Sequence, residues 1–154
     1  MRPARNVQPI DELIRGLAQF RYALRKFLRF SENAARQCGV TPQQHQLMLG
    51  VAGFTGRRSA TVSELAEFLQ ERPHSVVGLI KRAAQHGLVR RVQDKTDRRV
   101  VNVSLTASGK KILSRLTRLH EEEARRIQEL LGGRKAERSQ SVPVESSRAI
   151  QTAD

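Results

Sequence analysis

Aromatic residues are scarce in this 154-residue chain: no tryptophan, one tyrosine and five phenylalanines, 4% in all. None falls between His74 and Leu105, so that stretch offers no stacking platform for unpaired bases. Cys38 is the only cysteine, which excludes an intrachain disulfide and fits a reducing cytoplasm. No apolar run approaches the ~20 residues of a membrane span, and the opening MRPARNVQPIDELIRGL has no apolar core of the signal-peptide kind. A soluble cytoplasmic protein with no membrane partner is expected. Nucleophile elbows, glycine-rich phosphate loops and metal motifs are missing too. His45, His74, His86 and His120 lack ligand spacing, and His120-Glu121-Glu122-Glu123 reads as a solvated charge run on a helix. No catalytic residue, metal or cofactor is expected, and the chain does not read as an enzyme.

Acidic residues are outnumbered. Fifteen Asp and Glu face 28 Lys and Arg, a net charge of +13 with a sequence pI near 11.4. A partner carrying many negative charges is the simplest reading, with nucleic acid ahead of an anionic membrane. The charge is also uneven: residues 72–99 hold eight Lys/Arg against two Asp, whereas residues 61–71 hold three Glu and no base.

The length suits one domain able to bury a core unaided. Ile10, Leu13, Ile14, Leu17, Leu24, Phe27 and Leu28 recur at helical spacing, predicting a helix from about Ile10 to Gln37. Gly39 offers a positive-φ ending. Thr41-Pro42-Gln43-Gln44 then reads as a new helix start, with N-cap, proline at N1 and capping-box glutamine at N3. Leu47, Met48, Val51 and Phe54 form its expected buried stripe. TGRRSA, residues 55–60, reads as a loop, and Thr61-Val62-Ser63-Glu64 as a second capping box opening a short helix with Leu65, Phe68 and Leu69 inward. A third short helix is expected over about His74–His86, burying Val76, Leu79, Ile80 and Ala83 and ending at Gly87. In QDKTDRRVVNVSLT, residues 93–106, a charged turn runs into an alternation that puts Val101, Val103 and Leu105 on one strand face. From Ala107 a long helix carries Ile112, Leu113, Leu116, Leu119, Ile127, Leu130 and Leu131, stopping at Gly132-Gly133. Residues 132–154 are polar, contain Pro143 and read as a mobile tail. There is no internal repeat.

Two short helices joined by a tight turn, then a hairpin with a basic tip, make a winged helix-turn-helix, so the fold class is mainly α with a small β-hairpin. A helix of about 10–12 Å diameter fits the major groove of duplex DNA. Once its apolar side grips the domain, His74, Ser75, Val77, Gly78, Lys81 and Arg82 face outward or sideways; Lys81 and Arg82 suit phosphates. A hairpin tip fits the minor groove, where negative potential attracts arginine. Arg99 is the candidate inserted group and Asp97 its orienting partner. Lys95, Arg98, Arg90 and Arg91 flank them. Thr61 and Ser63, at the start of the first short helix, and Arg72, ahead of the second, complete the candidate DNA surface. Winged helices also bind RNA, or DNA without sequence preference, and that alternative stays open.

The run SELAEFLQERPHSVVGLIKRAAQHGLVRR…DRRVVNVSLTASG, with GVTPQQHQLML before it, resembles the MarR family of multiple-antibiotic-resistance regulators. The wing pattern is carried by Asp97, Arg99, Val103, Leu105, Thr106 and Gly109. The likeness covers about residues 8–131, with the winged part at about 41–106 and dimerisation helices at about 8–38 and 107–131. It implies a homodimeric transcription factor, usually a repressor, that binds inverted repeats in double-stranded DNA and is often released by a small phenolic or aromatic effector. The dimer surface it implies includes Ile10, Leu13, Ile14, Leu17, Leu113, Leu116, Leu119, Ile127 and Leu130. An effector crevice would lie between the dimer helices and the DNA-binding lobe, lined by Tyr22, Arg25, Cys38, His45 and Met48, with Arg25 suiting an anionic aromatic ligand. Cys38 lies at the end of the first helix, where oxidation-sensing relatives carry theirs early, so inert, buried packing is expected of it. Three features depart from the family pattern: Arg72 in place of a capping Ser or Thr, a polar C-terminus in place of a further apolar helix, and a recognition helix poor in long polar side chains.

Overall fold

Local signals decide where most of the elements begin. The computed structural model describes residues 9–137, with side chains described through Glu129; the predicted tail beyond Glu137 lies outside the described residues. Helix α1 (Ile10–Gln37) ends where Gly39 turns to φ +78°; the amide of Cys38 returns to the Ala34 and Ala35 carbonyls, and that of Gly39 to the Arg36 carbonyl. Helix α2 (Pro42–Leu49) opens on the complete capping box: the Thr41 hydroxyl accepts from the Gln44 amide at 3.1 Å, and Gln44 Oε1 accepts from the Thr41 amide at 3.0 Å. Helix α3 (Val62–Leu69) repeats the device with Thr61 and Glu64. Helix α4 (Pro73–Gln85) starts on Pro73 alone, because Arg72 at its N-cap makes no capping hydrogen bond. The hairpin of β2 (Val89–Gln93) and β3 (Val101–Leu105) follows, then helix α5 (Ala107–Glu137).

The core lies where these elements converge. Leu47, Met48, Val51, Leu65, Val76, Ile80, Ala83, Val103 and Leu116 are all buried, and the α4 stripe Val76, Leu79, Ile80 and Ala83 points inward as its spacing predicts. Cys38 is half-buried and packs against this core, so burial is only partial there.

Four expectations need correction. Residues Ser59–Thr61 are not simply loop: they form strand β1, antiparallel to β3 with Ala60 opposite Val103, in a sheet ordered β1-β3-β2. Three residues are too few for alternation to register in the sequence. Phe54 is 47% exposed rather than part of the buried stripe. Residues Gly50–Phe54 form a π-helical turn, whose wider winding carries position 54 out of phase with Leu47 and Val51; the Phe54 ring rests on Phe68 at 5.3 Å instead. Helix α5 runs through Gly132-Gly133 to Glu137. Glycine weakens a helix by about 1 kcal/mol but ends it only where the chain turns left-handed. Finally, His120 is not part of a solvated run. It is half-buried, with Leu116 O and Ser31 Oγ each 2.7 Å from its ring nitrogens.

The joint between hairpin and α5 is tight. The Thr106 hydroxyl donates to the Gly87 carbonyl and accepts from the Gly109 amide, while the Thr106 amide donates to Leu88 O at 3.1 Å. A Cβ on Gly109 would overlap that Leu88 carbonyl, whereas one on Gly53 would meet open space. Gly109→Ala is therefore expected to lower stability by about 1–3 kcal/mol through overpacking, and Gly53→Ala to raise it by up to about 1 kcal/mol. Urea denaturation midpoints of the two variants should move in opposite directions.

Candidate nucleic-acid interface

Helix α4 buries one side and offers the other. His74, Ser75, Val77, Lys81 and Arg82 are exposed, Gly78 is half-exposed, and no salt bridge engages Lys81 or Arg82 among the described residues. A Cβ at Gly78 would lie 3.4 Å from an Arg82 guanidinium nitrogen, so the arginine sweeps along this side of the helix. Arg72 is exposed and uncommitted at the helix start. Ser63 is exposed on α3, but the Thr61 hydroxyl is taken by the cap, accepting from the Glu64 amide at 3.3 Å and donating to Glu64 Oε2 at 3.1 Å. Thr61 thus shapes the lobe and has no free hydroxyl for a phosphate.

The hairpin tip is more ordered than its charge suggests. Asp94 Oδ1 accepts from the Thr96 amide at 2.8 Å, the Thr96 hydroxyl at 2.7 Å and the Asp97 amide at 3.1 Å; Asn102 Nδ2 donates to its other oxygen at 3.3 Å. Hydrogen bonds from Thr96, then from Asp97, hold the Asp94 carboxyl down to about 2. Gln93 Nε2 donates to Arg98 O at 2.7 Å and closes the other side of the loop.

On that frame Asp97 grips Arg99 three times. Its Oδ1 accepts from the Arg99 amide at 2.9 Å and from Nε at 3.1 Å, and its Oδ2 accepts from a terminal guanidinium nitrogen at 3.2 Å. The same bonds lower the Asp97 pKa. The Arg99 side chain is nevertheless 91% exposed. An aligned, solvent-facing guanidinium at the end of a strand pair is a pre-oriented cation. Lys95 and Arg98 lie beside it and are exposed. Arg90 and Arg91 separate: neighbours on a strand point to opposite faces, and Arg90 lies over β3 with Nε donating to Ser104 Oγ at 3.0 Å.

A family model described as MarR family matches residues 39–100, the segment that holds α2, both short helices and the tip. Over that segment the chain is similar to the MarR family. HTH-type transcriptional repressor MdtR of Bacillus subtilis is 37% identical over 71 residues, which are 46% of this chain and 44% of that protein. The match thus spans less than half the length of this curated relative. Among solved structures, YusO of Bacillus subtilis is 25% identical and superposes with a TM-score of 0.60, covering 88% of this chain and all of that one. The MepR–DNA complex of S. aureus is 22% identical at a TM-score of 0.59, covering 78% of this chain and 96% of MepR, a likeness of fold.

Other MarR-type expectations fare unevenly. Ile10, Leu13, Ile14 and Leu17 lie bare on α1, 50% to 67% exposed. Leu113 and Leu116 are 8% and 0% exposed, because they face the protomer's own core, and so are not free for a partner. Leu119 and Ile127 are half-buried, and the Leu130 side chain lies outside the described residues. Of the five proposed effector liners, Cys38 is half-buried at the end of α1. Tyr22, beneath Lys26, and Arg25 are exposed on α1, whereas His45 and Met48 are packed inside the lobe. Asp94, which braces the tip, is the residue of this site that the sequence reading left out; the signal was Asp-Lys-Thr-Asp, a stretch fit for a side-chain-capped turn.

Asp94→Ala should accelerate amide exchange across residues 94–100 while leaving α4 protected. The tip should also loosen in acid. A carboxylate with a lowered pKa stabilises above its ordinary value near 3.8, and this contribution is lost as pH falls through about 2. Exchange that shows no fading of wing protection between pH 4 and 2 would refute this.

Proposed function

We propose that the protein is a sequence-specific regulator of transcription that binds duplex DNA as a homodimer on an inverted repeat and represses. The observation that carries this reading is the wing: an exposed Arg99 aligned by Asp97 on a tip braced by Asp94, beside a helix whose outer side is free. Recognition helix α4 would enter the major groove, with Arg72, His74 and Ser75 near its leading end and Lys81 and Arg82 on phosphates. Arg99 would enter the neighbouring minor groove, with Lys95 and Arg98 on its flanking backbone. MdtR is a transcriptional repressor, and MepR has been solved on DNA; both facts favour the reading.

The second copy is argued from α1. A helix with Ile10, Leu13, Ile14, Leu17, Phe20, Leu24 and Leu28 between 40% and 67% exposed has a wide apolar stripe that its own protomer leaves uncovered. Burying it against the same stripe of another chain, with the far half of α5, would set two recognition helices roughly 34–36 Å apart. The winged lobe would span about 41–106 and the dimer helices about 8–38 and 107–131. A small aromatic or phenolic effector remains part of the reading only by family likeness.

Selection of sites from random duplex DNA at physiological salt should enrich an inverted repeat with fixed half-site spacing. Salt-sensitive binding without enrichment would point to a non-specific module. On the selected site, Arg99→Ala should cost about 1–3 kcal/mol and relax the preference in the flanks, while Lys81→Ala should weaken all sequences alike and lower the salt slope by about one. Light scattering at micromolar concentration should give twice the 17.4 kDa chain mass; a monomer would overturn the dimer.

A further inference from the structure

Among the described residues, His45 Nδ1 is a buried side-chain nitrogen with no hydrogen-bond partner. His45 lies on α2, 2% exposed, and its ring stands 4.8 Å from that of His120 on α5. The two imidazoles are not equivalent. Leu116 O lies 2.7 Å from His120 Nδ1, and a carbonyl can only accept, so Nδ1 carries a hydrogen. Ser31 Oγ of α1 lies 2.7 Å from His120 Nε2. With His120 neutral, the serine hydroxyl donates to Nε2; with His120 protonated, Nε2 donates to the serine oxygen. Both states are satisfied. Protonated His45 would instead present an Nδ1–H with no acceptor, next to a second imidazole.

Nothing around the pair compensates for that charge. From α1, Phe27 and Phe30 meet His120 edge-on at 5.7 and 5.5 Å. The charged residues flanking Ser31 on that helix are Arg29, which is exposed, and Glu32 and Arg36, exposed and paired with each other at 3.6 Å. On α5, Arg118, Glu121 and Glu122 are exposed, and Glu123 pairs with Arg126 at 3.5 Å. Helix α2 has no ionisable residue besides His45. From α4, His86 approaches through Gln44, whose Nε2 is 2.7 Å from His86 Nδ1. Cys38, half-buried after α1, packs against the same core. Burial first, and repulsion from His120 second, push His45 down from 6.5 to about 4.

We propose that the His45–His120 pair, its rings tilted 48° to each other, is a proton-controlled latch at the junction of α1, α2 and α5, closed near neutral pH and released by mild acidification. His120 keeps both of its hydrogen bonds in either protonation state, whereas protonated His45 leaves the pair for water. Helices α1 and α5 carry the proposed dimer surface, while α2 is bonded through Gln44 to the end of α4. Release therefore loosens the spacing of the recognition helices, a consequence that rests on the DNA-binding reading; the latch itself does not.

The sign follows from the lowered pKa. Packing of neutral His45 contributes its full stability above pH 6.5, and the contribution falls as pH drops towards about 4. At pH 5.5 a form with His45 in water is favoured roughly tenfold over its standing at neutral pH. Protonating the exposed His74 would add positive charge near DNA and tighten binding, so a loss of affinity has the opposite sign to that effect.

The test compares the full-length protein with His45→Leu, His45→Gln and His86→Gln at pH 7.5 and 5.5. Readouts are urea denaturation and affinity for the duplex selected above. Between the two pH values the unfolding constant of the wild type and of His86→Gln should rise about tenfold, and that of both His45 variants less than twofold. Operator affinity should weaken in acid, by up to a few-fold, only where His45 is present. Parallel profiles for wild type and His45 variants overturn the latch, and a stability change without an affinity change overturns its regulatory role. If no duplex binds at either pH, the DNA-binding reading fails while denaturation still decides the latch. Should both His45 variants fail to fold, NMR titration of the wild type decides it: a His45 midpoint below 6.5 that coincides with amide shifts across α1, α2 and α5 is expected, and a midpoint near 6.5 overturns it.

Discussion

Gly109 and Leu88 come closer than any side chain at position 109 would allow, and the geometry between hub and lobe depends on that contact. Thr106 clasps the same place, donating to Gly87 and accepting from Gly109, so α5 leaves the hairpin in one direction only. Were the joint loose, a braced wing and a free α4 would have no defined relation to the apolar stripe on α1. Gln44 does the same on the opposite side of the lobe. Its oxygen completes the α2 capping box and its nitrogen meets His86 at the end of α4, so one 2% exposed amide binds the start of one helix to the close of another.

Much of this was legible in the residues alone. Capping boxes at Thr41 and Thr61 and the glycines at 39 and 87 mark ends that the structure reproduces, because these signals act within four residues and need no tertiary partner. The buried stripe of α4 was equally plain. Strand β1 was not, since three residues acquire strand geometry only by pairing with β3, forty residues away in the chain. Phe54 was misplaced because a π-helical turn changes the winding without changing the residue types. His120 was misread for a similar reason: its neighbours Glu121 to Glu123 look solvated, and what holds His120 is Ser31, on another helix.

The candidate interface divides along the same line. Exposed cations on α4 and the tip follow from composition and periodicity, and the Asp97–Arg99 pair from a two-residue spacing. Which of them are free is a tertiary fact. Thr61 is consumed by its cap, Arg90 is drawn over Ser104, and Leu113 and Leu116 are spent in the core. Asp94, an acid in a basic tip, reads as a mere counter-charge until its hydrogen bonds are seen.

The sheet order β1-β3-β2 leaves β2 with one side unpaired. An open strand invites pairing with a strand from another molecule, and charged side chains are a common deterrent. Arg90 and Arg91 stand on this edge, with Val92 half bare beside them. The cations that make the wing attractive to a polyanion therefore also keep copies of the hairpin from zipping together. Neutralising both arginines would remove two safeguards at once, and any loss of activity in such a variant should be read against its tendency to aggregate.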